Sequence, residues 1–178
     1  MPFFFFTAVP TWNDRKRVTH QRLLEIYEDL GVIVRHGSFK PTSAICRLCG
    51  KEFTTFEEKQ TDINICIELL RLGRDDIADR ISLVTGDNDQ AASVQHFRQL
   101  YPDKEVIVVI PPYRRALELE SVASARRAMS IVQLKKSLLP NPYKFRLTDR
   151  EYLKPAHWTN RPVAANWQPR DRSVHRPE

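Results

Sequence analysis

The chain has 178 residues, 42% of them hydrophobic and 28% charged, with a formal net charge of +6, a size that suits one compact domain. No apolar run approaches the roughly 20 residues that a membrane-spanning helix needs, and MPFFFFTAV lacks the basic start and small-residue cleavage site of a signal peptide. Three cysteines, an odd number, argue against a secreted disulfide framework, so a cytoplasmic protein with reduced thiols is expected, and its basic charge makes nucleic acid the leading partner.

Phe3 to Val9 is aromatic and β-branched, stops at Pro10, and reads as a short buried strand. Leu23, Ile26, Tyr27 and Leu30 fall at helical spacing, which predicts an amphipathic helix from Val18 to Leu30 with Gly31 in the place of a C-terminal glycine. Val32 to Phe39 alternates into a second strand. Residues 40–56 carry Cys46 and Cys49 without a clear period and read as an irregular excursion. Ile63, Cys66, Ile67 and Leu70 restore the helical spacing, with Thr61 available as the N-cap and the helix ending near Gly73.

Ile81 to Thr85 is the next predicted strand and Gln90 to Tyr101 the next helix. Glu105 to Ile110, EVIVVI, is a strand apolar on both faces that Pro111 and Pro112 stop. A continuous apolar strand implies cover on both faces, and strands alternating with helices imply a parallel sheet. Ala116 to Ala128 reads as a helix and Ser130 to Leu134 as a final short strand. From Thr148 to Glu178, prolines and arginines without glycine or periodicity predict an extended tail. The expected fold is therefore α/β, a three-layer α/β/α sandwich with a mainly parallel sheet over residues 1–147, followed by a Pro/Arg-rich tail over residues 148–178.

The stretch ISLVTGDNDQ, Ile81 to Gln90, runs an apolar strand straight into a glycine and two carboxylates. In an open parallel sheet the ligand crevice lies beyond the carboxyl ends of the strands, and Asp87 and Asp89 fall at such an end. If the backbone stays extended there, alternate residues point to one side. Asp62 lies in the first turn of a helix, where the dipole favours negative charge. Carboxylates gathered in one crevice need a compensating cation, and oxygen-only ligands point to Mg²⁺ or Mn²⁺. The plainer reading is an Asx turn in which Asn88 or Asp89 caps the following helix, with Asp62 a dipole residue only.

The segments EEKQTDINICIELL, ISLVTGDNDQAASVQHF and VIVVIPP, in that order, resemble the NYN family of PIN-like domains, and VRHGSF and YLKPAHW extend the resemblance over about Phe3 to Trp158. The resemblance implies a PIN-like fold and a metal-dependent ribonuclease that hydrolyses RNA phosphodiester bonds to a 5′-phosphate and a 3′-hydroxyl. It assigns Asp62, Asp87 and Asp89 as catalytic metal ligands for Mg²⁺ or Mn²⁺ and Glu58 as a further ligand or as an orienter of Lys59. Thr85 stands where the family carries a serine. Nothing in the sequence matches the family's opening DGxN strand, whose aspartate is a metal ligand, so a site weaker by at least one ligand is expected. The rival reading is an RNA-binding or regulatory protein that kept the fold and lost cleavage. A remote third, aromatic-ring hydroxylation, finds no GxGxxG and no iron-binding histidine pair with a carboxylate.

Arg114 and Arg115 follow the prolines at another strand end, where they can meet a phosphate backbone, or simply be solvated. With Lys59 and Thr85 they complete the expected nucleic-acid contacts. Arg126, Arg127, Lys135 and Lys136 read as solubility charges, and Trp158, Trp167 and His175 as bases' stacking partners or part of a solvated terminus. Cys46 and Cys49, spaced as half a zinc knuckle, leave three readings open: free thiols, a Zn²⁺ site shared between chains of a homo-oligomer, or a redox pair. His20, His96 and His157 have no mutual spacing of a ligand set.

Overall fold

The computed structural model describes residues 1–156 of an α/β protein whose strands form small parallel and antiparallel sheets. It divides into two units, Met1–Ala78 with Tyr143–Tyr152, and Asp79–Pro142 with the described residues from Leu153. Among the described residues no helix is long and apolar enough to cross a membrane.

In the first unit, β1 (Phe3–Thr7) runs parallel to β2 (Val32–His36), with Thr7 opposite His36. The helix between them, α1 (Asp14–Asp29), starts earlier than the apolar repeat because Asn13 caps it, its side chain accepting the Lys16 N–H at 2.9 Å. A cap fixes a helix start even where the first turn buries nothing. Leu24 and Ile26 are buried, and Phe5 meets Tyr27 edge-on at 4.8 Å between ring centres.

Residues 40–56 are not irregular. β3 (Ser38–Ile45) and β4 (Glu52–Lys59) form an antiparallel hairpin in continuous register from Ser38–Lys59 to Ile45–Glu52. None of its residues is buried, so nothing forces the apolar–polar alternation by which a half-buried strand is recognised. Trp12 anchors the hairpin by stacking on Phe56 at 4.1 Å and meeting Phe39 edge-on at 4.6 Å.

After the hairpin comes α2 (Thr61–Arg74), which packs on β1 and β2 and buries Leu69 and Leu72. Its N-cap is Gln60 in a left-handed conformation, φ +77°, not Thr61, whose hydroxyl donates instead to the Glu58 carboxylate. Glu68 is buried with its carboxylate shared between Arg35, at 3.2 Å, and Arg71.

The second unit is built on three parallel strands in the order β5 (Arg80–Val84), β6 (Glu105–Ile110), β7 (Ala125–Ala128). β6 is central, and Val106, Val108 and Ile110 are almost wholly enclosed, as its two-faced apolar sequence predicts. α3 (Ala91–Leu100) packs on β6 and on α4 (Leu117–Val122), enclosing Val94, Phe97 and Leu119.

Two expectations fail here. The helix predicted over Ala116 to Ala128 ends at Val122, where the Arg98 guanidinium binds the Val122 carbonyl at 2.7 Å, and the chain continues as β7. All four β7 residues, ARRA, are exposed, so the strand is held by its ladder to β6 and carries no apolar signal. The strand predicted over Ser130 to Leu134 is instead α5 (Ile131–Lys136). A capping box, Ser130 with Gln133, starts it, outweighing the β propensity of Ile131 and Val132.

The chain then returns to the first unit as a small antiparallel hairpin, β8 (Tyr143–Lys144) with β9 (Glu151–Tyr152). The Tyr143 hydroxyl donates to Asp29 at 2.6 Å, and burial, then that carboxylate, pushes its pKa up. The predicted tail thus begins inside an ordered hairpin, while His157, Trp158, Trp167 and His175 lie outside the described residues.

Candidate functional site

The residues that sequence reasoning singled out fall into separate groups in the two units. In the second, the strand end of β5 leads into a tightly bonded turn. Thr85 continues the sheet, its N–H donating to the Val109 carbonyl at 3.3 Å, and its hydroxyl accepts the Asp87 N–H at 3.2 Å. Asp87 in turn caps a single 3₁₀ turn, Asn88–Gln90, by accepting the Asp89 N–H at 3.2 Å. Asp87 thus caps this turn, and neither Asn88 nor Asp89 caps the following helix, α3, whose N-cap is Gln90 with no side-chain cap bond. The backbone is extended only at Asp87, so the condition for Asp87 and Asp89 to share one side of a strand is not met. Both carboxylates are exposed. The Asn88 side-chain oxygen accepts the Leu119 N–H at 3.4 Å, tying the turn to α4.

A second strand end lies against this turn. After Ile110 the chain passes Pro111 and Pro112, takes a left-handed residue at Tyr113, φ +61°, and bonds the Arg114 N–H to the Pro111 carbonyl at 3.3 Å. This lays the stem of Arg114 over Gly86: a Cβ at position 86 would sit 3.0 Å from Arg114 Cβ and 3.1 Å from its Cγ. Gly86 thus matters for that close approach and not for a left-handed backbone, since a Cβ there would make the Arg114 stem shift by a few tenths of an ångström. Arg115 follows, exposed. The carboxyl ends of two adjacent parallel strands thus carry a hydroxyl, two carboxylates and a guanidinium stem in one place.

In the first unit, Asp62 is exposed in the first turn of α2. Ahead of it, Glu58 takes the Thr61 hydroxyl, and Lys59 pairs with Glu57 at 2.8 Å, so Lys59 is held by its neighbour across one residue. Gly37 makes room for this turn, since a Cβ there would lie 2.5 Å from Thr61 Oγ1 and 2.7 Å from the Lys59 carbonyl. His20 lies close by, its Nε2 3.1 Å from the Thr7 hydroxyl. Burial, then the charge of His36, holds its pKa down, while Glu58 pulls it up. The sequence offers no ligand-set spacing for His20; what it does show is that His20 extends the Leu23–Tyr27 stripe by one turn and that His36 ends a strand.

Cys46 and Cys49 occupy the tip of the β3–β4 hairpin as free thiols. The backbone N–H groups of Cys49 and Leu48, and the Cys49 thiol, donate to the Cys46 sulfur and lower its pKa. Among the described residues no three His, Cys, Asp or Glu side chains form a group that could hold a metal ion.

No family model matches the chain, and no curated protein matches it. A crystal structure of a protein of unknown function from Vibrio parahaemolyticus is similar over 70% of this chain and 67% of that chain, with 25% sequence identity and a TM-score of 0.46.

Proposed function

We propose that this protein is a metal-dependent ribonuclease of the NYN, PIN-like type, with the three-layer α/β/α arrangement of that family. The observation that carries the reading is the seating of Arg114 over Gly86 beside Asp87 and Asp89, at the carboxyl ends of β5 and β6. Ligand crevices of parallel sheets form at such ends. Exposed carboxylates there suit a hard divalent cation, and a guanidinium suits a phosphate oxygen.

Asp87 and Asp89 would hold Mg²⁺ or Mn²⁺ through oxygen alone, and the role of metal ligand for Asp62 rests on the sequence resemblance. When bound, such an ion supplies charge neutralisation and an acidified water for phosphodiester hydrolysis. The protein's own part is to hold the acids in place. Thr85 fixes the Asp87 backbone and Asp87 fixes that of Asp89, while Arg114, with Arg115 beside it, positions the RNA backbone.

One observation favours the reading without cleavage: the Asp87 carboxylate already serves as a turn cap, a role that accounts for an aspartate there without a metal. RNA binding without hydrolysis is the outcome that this reading expects. Incubating the protein with labelled single-stranded RNA in Mn²⁺, in Mg²⁺ and in EDTA separates the two. Metal-dependent cleavage lost in Asp87→Asn/Asp89→Asn supports the nuclease, and metal-independent binding without cleavage supports the binder.

A further inference from the structure

The hairpin tip carries chemistry that the proposed nuclease does not use. β3 and β4 are joined by CRLCG, Cys46 to Gly50, folded so that the Cys46 N–H donates to the Lys51 carbonyl and the Gly50 N–H to the Cys46 carbonyl, each at 2.8 Å. Gly50 takes φ +69°, which lets the chain turn back into β4 directly after the second cysteine.

We propose that Cys46 and Cys49 are half of a tetrathiolate zinc site that the same two residues of a second copy of this chain complete. Structural zinc takes four ligands in a closed tetrahedron, and two-residue spacing supplies two of them from one turn. Cys66, the remaining cysteine, is on α2, away from the hairpin turn in sequence and half-buried.

Three features of the tip suit a second copy as the source of the other pair. The turn projects from an open hairpin, with Cys49 exposed and Leu48 99% exposed, so two tips can meet without rearrangement of either strand. Leu48 and Ile45, which is 70% exposed, then leave water, the favourable direction for apolar side chains. Tetrathiolate zinc is anionic, and exposed Arg47 and Lys51 flank the cysteines in each copy, offsetting that charge. Binding converts thiols to thiolates and releases their protons to solvent.

The test uses the full chain, reduced, stripped of metal and titrated with zinc chloride, with bound zinc measured by elemental analysis and mass by light scattering. One zinc for every two chains is expected, with a dimer that forms only when zinc is present and dissociates on chelation. Co²⁺ in place of zinc should give the absorption of a tetrahedral tetrathiolate site.

Cys46→Ser/Cys49→Ser, checked by circular dichroism to be folded, should stay monomeric and take up no zinc, whereas Cys66→Ser should keep both properties. Leu48→Glu leaves every ligand in place and should weaken zinc-dependent dimerisation about tenfold or more. One zinc per chain on a monomer, a dimer indifferent to zinc or to loss of the cysteines, or a Cys46–Cys49 disulfide in a chain that takes no zinc when reduced would each overturn the proposal.

Discussion

Arg114 and Gly86 are in contact across two strand ends: the arginine stem lies where a side chain on residue 86 would begin, the nearest would-be contact being 3.0 Å. The two positions belong to different loops, and a side chain at residue 86 would push the arginine stem aside by a few tenths of an ångström. Gly86→Ala should therefore act on Arg114 rather than on the fold. RNA affinity should fall severalfold, close to the loss in Arg114→Ala, at a cost in stability of about 1 kcal/mol. Fluorescence anisotropy with labelled RNA, alongside urea unfolding, checks both. Unchanged affinity in Gly86→Ala with a clear loss in Arg114→Ala would break the link.

A stricter packing limit holds at Gly37, whose missing Cβ faces Thr61 Oγ1 at 2.5 Å and the Lys59 carbonyl at 2.7 Å. The carbonyl is backbone and cannot swing aside. Gly37→Ala is expected to destabilise the protein by about 2 kcal/mol or more, seen as a lower Tm, through displacement of the Lys59–Thr61 turn.

Glu68 is the buried charge of the first unit, bound by Arg35 and Arg71, which are themselves partly exposed. The asymmetry predicts that losing an arginine is worse than losing the glutamate. Arg71→Met leaves a buried carboxylate short of a donor and should cost about 2 kcal/mol in urea unfolding. Glu68→Gln frees cations that water can reach, and should cost less.

His20 provides the pH dependence. Its pKa is held down in the folded protein by burial, then by His36, against a smaller pull from Glu58. A base whose pKa falls on folding binds fewer protons folded than unfolded. The stability it permits is full above the ordinary value of about 6.5 and declines as pH falls through that value toward the lower folded one. Between about pH 7 and about pH 5.5 the unfolding midpoint should drop more in the wild type than in His20→Gln. Equal drops would contradict this assignment.

Legibility followed the physics of each segment. β6 is plain because a strand enclosed on both faces must be apolar throughout, and α3 because its inward face, Ala91, Val94 and Phe97, repeats at helical spacing; α2 is a helix as its spacing predicts, but it buries Leu69 and Leu72 and leaves Ile63 and Ile67 of the expected stripe exposed. The β3–β4 hairpin and β7 are not legible because none of their side chains is buried and their order rests largely on backbone ladders, which leave no hydrophobic period. α5 stands where a strand is expected because the Ser130–Gln133 capping box outweighs the β propensity of Ile131 and Val132. At the site, the Asp–Asn–Asp turn is legible as an Asx turn, with the cap one residue earlier than expected, at Asp87, but that Arg114 lies over Gly86 and that His20 meets Thr7 are tertiary facts. No local pattern encodes them.

The most direct measurement of the central claim is hydrolysis of labelled single-stranded RNA by the wild type, Asp62→Asn, and Asp87→Asn/Asp89→Asn, each in Mn²⁺, Mg²⁺ and EDTA. The account predicts cleavage by the wild type that EDTA abolishes, with a loss of about a hundredfold or more in both variants while their unfolding curves stay close to wild type. Cleavage that survives EDTA or the loss of these aspartates, or no cleavage by the wild type in either metal, would contradict it.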